Sequence, residues 1–224
     1  MRAAGLKRSK GGGARIGCAL DIDFRRVDVA ADQYFMDRSV YGHKCQAKNG
    51  AHWHGDGWDF DGTDDAVDCG VGASLHITGA LTCECLISYT QVAAQITEFM
   101  GNEAANKGYL INADSSKCPG FAFYIPSAWK GCTSPEALSE GIRHHLVGVW
   151  DGFDEMRLYV DKEQKKATTG VSGSIVHSGQ NFYIAKWYSN NARCQDGLSI
   201  HVRVWNFADY AARILQRAID SRRN

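Results

Sequence analysis

No charge of one sign dominates this chain. Its 224 residues carry 25 basic and 25 acidic side chains, for a formal net charge of zero. A dedicated nucleic-acid binder shows a basic bias, so that class is not expected. No apolar run approaches the roughly 18 residues that a membrane-spanning helix needs. The eight cysteines include no C-x-x-C pair, which removes the commonest zinc-ligand spacing. No G-x-S-x-G occurs, so serine, histidine and acid are present without a nucleophile elbow. The start, "MRAAGLKRSKGGGAR", is basic but continues into Lys and Gly rather than an apolar core. A secretory signal peptide is therefore not expected.

What is present reads as globular and all-β. Hydrophobic residues make up 44% and aromatics 11%, enough to bury a core in a chain of this length. Stretches such as "LTCECLISYTQ", "FAFYIPS", "HHLVGVWDG", "EMRLYVDK" and "LSIHVRVWNF" are short and punctuated by Gly, Asn, Asp and Ser. That spacing predicts a sandwich or barrel, not βαβ units. "HHLVGVWDG" places Leu146, Gly148 and Trp150 on one face, and "DGFDE" reads as the hairpin into the next strand. Cys83 and Cys85 share a strand face with Leu81 and Ile87 and are expected in the core. Cys118 and Cys132 flank a hairpin that they could staple in an oxidising space. One helix is expected over 209–220, capped by Asp209, with Ala211, Ile214, Leu215 and Ala218 on its buried stripe. Residues 1–14, with Arg2, Lys7, Arg8, Lys10 and Gly11 to Gly13, read as a basic Gly-rich arm. It is either a disordered tail or an anchor on an acidic neighbouring subunit. Residues 15–224 form the sandwich domain.

Four groups of residues raise the question of chemistry. "FDGTDD" sets Asp61, Asp64 and Asp65 close together. The first reading is a turn, since Asp and Gly suit left-handed backbone and local hydrogen bonding. The competing reading is a calcium site, with Asp64, Asp65 and Asp196 as ligands; no other cofactor is expected. Asp21 and Asp23 in "LDIDF" are the nearest thing to a catalytic carboxylate pair. They are expected on a solvated strand face. His52 and His54 alternate around Trp53, without an evident third metal ligand. The richest binding segment is "KWYSNNARCQDG", which holds Trp187, Tyr188, Asn190, Asn191 and Arg193. Trp129 and Trp53 are further loop aromatics. A sugar site combines an aromatic face with amides and charged groups, and these residues have that composition.

The ordered set "FDGTDDAVDCG…SLHITGALTCECLIS", "HHLVGVWDG…MRLYVD" and "FYIAKW…GLSIHVRVWNFADYAARI" resembles laminin-G-like, concanavalin-A-like lectin and glucanase domains. The resemblance spans roughly residues 15–220. It implies an antiparallel two-sheet jelly roll ending in a short helix. It also implies sugar- or protein-binding adhesion modules more often than enzymes. The family's calcium site often uses an acidic pair where this chain has Ile200 and His201, and no E-x-D-x-E catalytic strand occurs. A non-catalytic role is expected: a virion surface protein, decoration or tail appendage, gripping capsid or tail subunits in an assembly. The alternative is a carbohydrate-binding receptor module, extracellular or on a cell surface. His145 occupies a position where the resembling family often has a structural His.

Overall fold

The period-two stretches become sixteen strands in the computed structural model. It describes residues 17–27, 29, 33–91, 95–189 and 193–208. The arm at 1–14, the helix expected over 209–220, and Asn190 and Asn191 lie outside the described residues.

In chain order the strands are β1 (Cys18–Asp23), β2 (Tyr34–Met36), β3 (Lys44–Lys48) and β4 (His52–Trp53). Next come β5 (Trp58–Asp61), β6 (Ala66–Asp68), β7 (Leu81–Thr90) and β8 (Thr97–Gly101). Then follow β9 (Tyr109–Ala113), β10 (Pro119–Ile125), β11 (Ala128–Thr133) and β12 (His144–Trp150). The last four are β13 (Met156–Val160), β14 (Glu163–Thr168), β15 (Tyr183–Ile184) and β16 (Asp196–Trp205). They form two antiparallel sheets of eight strands. The first runs β14-β13-β12-β7-β16-β5-β4, with β1 also on β16. The second runs β11-β10-β9-β8-β15-β6-β3-β2. This is the expected all-β sandwich.

Strand β16 organises the first sheet. One edge pairs with β7 along its length. The other edge pairs with β5 over Asp196–Ser199 and with β1 over 201–205. An irregularity between Ser199 and His201 marks the handover. Alternate residues of these strands enter the core: Cys83, Cys85, Ile87, Leu146, Val202 and Val204, all fully buried. Opposite them stand Phe99, Ile111, Phe121 and Phe123 of the second sheet. Phe123 packs on Trp150 with ring centroids 4.6 Å apart.

The turns explain the local sequence. Asp161 and Lys162 have φ of 50° and 81°, the two left-handed residues that a tight β13–β14 hairpin demands. The Asp161 carboxylate accepts from His145 N at 2.9 Å and lies 2.7 Å from His144 Nδ1. In "DGFDE", Asp151 Oδ1 accepts from the backbone N–H of Phe153, Asp154 and Glu155. The hairpin read from the sequence is therefore closed by its first residue.

One expectation is corrected. Asp21 and Asp23 are not solvated: each is 2% exposed, and all six residues of β1 are buried. Arg203 Nε pairs with Asp21 at 3.0 Å, and Asp23 gathers Arg25, Arg26 and Arg38. Burial alone would raise the Asp23 pKa, yet the three arginines hold it below the ordinary carboxylate value. Cys118 and Cys132 are not bridged. Cys132 stands opposite Phe121, so Cys118 falls past the end of that pairing.

The sheets approach closely at Gly148, where an added Cβ would overlap the Phe121 ring. Gly148→Ala is expected to destabilise the fold by about 1–3 kcal/mol through overpacking. Urea denaturation should show a lower midpoint with an unchanged slope. A midpoint equal to that of the parent chain would contradict the close approach.

Candidate functional site

The outer face of the second sheet, away from the core, carries the site. One residue row crosses all eight strands in register: Tyr34, Gln46, Asp68, Tyr183, Gly101, Leu110, Ala122 and Gly131. Its first half is polar and aromatic; its second half is small or apolar. Gln46, Asp68 and Tyr183 are half-buried. Asn181 Nδ2 donates to both Asp68 oxygens at 2.9 and 3.0 Å, and Gly70 N donates at 2.9 Å. Burial and the neighbouring Asp68 raise the Tyr183 pKa, so its hydroxyl stays protonated and can donate.

Beside this row, β8 contains a bulge. The pairing shifts between Glu98 and Met100. Phe99 and Met100 therefore both enter the core, while Glu98 turns to the outer face opposite Asn112. An extra residue in one strand re-aims its neighbours in this way. Gly101 leaves the space: a Cβ there would meet Glu98 Oε1 at 2.8 Å. Glu98 is buried. Burial, then the charge of Glu103, raise its pKa well above the ordinary value. Burial also raises the Glu103 pKa, against the pull of the Arg193 guanidinium, whose Nη1 donates to both Glu103 oxygens at 3.2 and 3.1 Å. The Arg193 guanidinium carbon lies 4.3 Å from the Trp187 ring centroid, a cation–π contact. Trp187 meets Tyr188 edge to face at 5.4 Å.

The structure thus joins three of the sequence-predicted residues, Trp187, Tyr188 and Arg193. Trp129 is not in a loop. It lies in β11, packed against Tyr124 at 5.6 Å. It shares the outer face but stands four strand spacings from β15, roughly 19 Å. Trp53, also expected in a loop, lies in β4 on the far edge of the first sheet and is 43% exposed. Glu98, Glu103, Tyr183, Asp68 and Gln46 were not singled out from the sequence.

The acidic turn resolves differently. Asp61 Oδ1 accepts from Thr63 N at 2.8 Å and Asp64 N at 3.4 Å, and Asp65 Oδ2 accepts from Asp61 N at 3.1 Å. Gly62 has φ 72°. These bonds make the segment a self-closed turn, as the first reading held. Asp61, Asp64 and Asp65 each bring one oxygen within 4.8 Å of the others. Asp196 is opposite Asp61 in the β16–β5 pairing but is not part of that group.

The Glu98 proton gives a sign for pH dependence. Unfolded, Glu98 ionises near its ordinary value of 4.5; folded, it holds its proton to higher pH. Folding therefore takes up a proton above pH 4.5, and stability falls as pH rises through the window up to the folded pKa. Glu98→Gln, which mimics the neutral form, is expected to lose part of that slope and to melt above the parent at neutral pH. Melting curves across pH 4 to 8 decide this; parallel curves would mean that Glu98 is ionised in the fold.

Residues 61–214 match the family described as the concanavalin A-like lectin/glucanases superfamily. No curated protein matches the chain by sequence. Among solved structures, domain 4 of AbnA, an extracellular arabinanase from Geobacillus stearothermophilus, superposes with TM-score 0.70. It is 13% identical, over 90% of this chain and 98% of that one, and was solved with arabinotriose. The binding domain of Paraclostridial Mosquitocidal Protein 1 gives TM-score 0.71 at 11% identity, over 90% of this chain. The botulinum neurotoxin serotype G binding domain gives 0.72 at 8%, over 91%. The match spans only 52% and 51% of those two toxin chains. These likenesses establish the fold, and with more than half its length matched by the family, the chain belongs to the concanavalin A-like lectin/glucanase superfamily.

Proposed function

We propose that the protein is a non-catalytic carbohydrate-binding module whose ligand lies on the outer face of the second sheet, beside Trp187 and Arg193. One observation carries this reading: a guanidinium held between an indole face and a carboxylate, on the side of the molecule where the second sheet also presents Tyr183, Asp68 and Asn181. Sugars present C–H faces that stack on aromatic rings and hydroxyls that need fixed donors and acceptors. The side chains here are pre-positioned by their mutual bonds, which lowers the ordering cost of binding. The arabinanase domain solved with arabinotriose, and a botulinum type C structure concerned with two ganglioside molecules, support a glycan as the ligand class.

Binding without hydrolysis is favoured by the carboxylates themselves. A retaining glycosidase needs two carboxyl groups about 5 Å apart with a sugar between them. Glu98 is buried, out of a sugar's reach, and Glu103 is tied to Arg193. The virion-structural reading rests on the family resemblance and on the arm at 1–14, which lies outside the described residues, and nothing in the sandwich favours it.

A glycan array probed with the full chain tests the proposal. Positive signals should fall about tenfold in affinity, ~1.4 kcal/mol, in Trp187→Ala, and should persist in Trp53→Ala. Signals that survive Trp187→Ala but vanish with Trp53→Ala would move the site to the first sheet. No signal from the parent would remove the carbohydrate reading.

A further inference from the structure

The outer face of the first sheet holds a second chemical feature, unrelated to the glycan face. Strands β12, β7 and β16 are neighbours, and their register puts His145 and His201 on either side of Leu86. Glu84 lies two residues along β7 on the same face. The three polar side chains therefore converge above the sheet. His145 Nε2 stands 2.8 Å from Glu84 Oε1, and His201 Nε2 stands 3.4 Å from the same oxygen. One ligand atom from each residue lies within 4.8 Å of the others. Glu84 is 1% exposed, His145 5% and His201 0%.

His201 is anomalous. Its Nδ1 and that of His145 make no hydrogen bond, and its Nε2 has only the 3.4 Å ion-pair approach to Glu84. Buried polar atoms are nearly always bonded, and each exception asks for an occupant. We propose that Glu84, His145 and His201 bind one divalent ion of the zinc class, through His145 Nε2, His201 Nε2 and a Glu84 oxygen.

The donor set selects the ion. Two imidazoles and one carboxylate suit zinc or a similar transition metal; calcium takes oxygen ligands. Around tetrahedral zinc, with bonds of about 2.0–2.2 Å, ligand atoms lie roughly 3.3 Å apart. The observed 2.8 and 3.4 Å bracket that spacing. Ligation needs neutral imidazoles with the coordinating nitrogen unprotonated, so in the bound form the ring proton of each histidine sits on Nδ1. Arg203 is the nearest competing cation, 3.6 Å from Glu84 Oε1. Its Nε is paired with Asp21 at 3.0 Å.

Because the site is buried, metal is best supplied during refolding. The full chain, stripped with chelator and refolded with Zn²⁺ or Co²⁺, is then dialysed and its metal content measured. One retained equivalent is expected, with Co²⁺ giving the visible absorption of a tetrahedral N/O site and Zn²⁺ raising the melting temperature. His145→Ala and His201→Ala should each lose the equivalent. Glu84→Gln, a near-isosteric change, should weaken retention at least about tenfold and serves if the alanine variants fail to fold. His76 and His177, with ring centroids 3.3 Å apart, are the control: His76→Ala should retain the metal. The proposal is overturned if the parent retains no equivalent, if Glu84→Gln and the histidine variants retain it fully, or if His76→Ala alone abolishes it.

Discussion

Four strands of the first sheet meet at one buried carboxylate, Glu84. An ionised group out of water is tolerated only with close partners. Burial opposes its charge, yet His145, His201 and Arg203 together hold its pKa well below the ordinary range. These partners come from β12 and β16, and Arg203 is tied onward to Asp21 of β1. A one-residue slip of β16 would drive His201 and Arg203 into the core and expose Val202 and Val204. The polar face and the apolar face therefore enforce the same register, one by partnering a charge and the other by excluding water.

That register reaches the candidate site through the chain. Arg193 lies three residues before β16, so the position of β16 sets where its guanidinium can go. The backbone secures it from both sides: Glu98 N donates to Arg193 O, and Gln195 N donates to Ala185 O. The two outer faces then diverge in character. On the first sheet the ionic groups are buried and paired in charge. On the second sheet the row from Gln46 to Tyr183 is only half-buried, and its polar atoms face outward beside Trp187. A face of that second kind can exchange water for sugar hydroxyls without unfolding anything.

Much of the fold was legible in the sequence because period-two patterning reports a strand's core face directly. Cys83, Cys85, Leu146 and Trp150 are buried as that pattern requires, and the "DGFDE" and "FDGTDD" turns close through their own aspartates. The misses have physical causes. Asp21 and Asp23 alternate as solvated residues do, and only a distant arginine, Arg203, and the sequence-local Arg25, Arg26 and Arg38 make them tolerable inside. Glu98 was hidden by a bulge, which puts both Phe99 and Met100 in the core and so breaks the alternation that would have marked Glu98 as outward-facing. Trp129 looked like a loop residue because "IPSAWKG" carries turn-forming residues, whereas the turn is short and the strand begins one residue before it. Trp187, Tyr188 and Arg193 were recognisable as a group because they are close in sequence; Tyr183, Asp68 and Gln46 share a row only after three strands have paired.

The assignment of the ligand face can be tested most directly by NMR. The ¹⁵N-labelled full chain would be titrated with the oligosaccharide that it binds best on an array. The largest shifts should fall on the Trp187 indole N–H, the Arg193 side chain, and the amides of Tyr183, Asp68 and Asn181. Shifts confined to Trp53 and the Asp61–Asp65 turn, with the Trp187 and Arg193 signals unmoved, would contradict it.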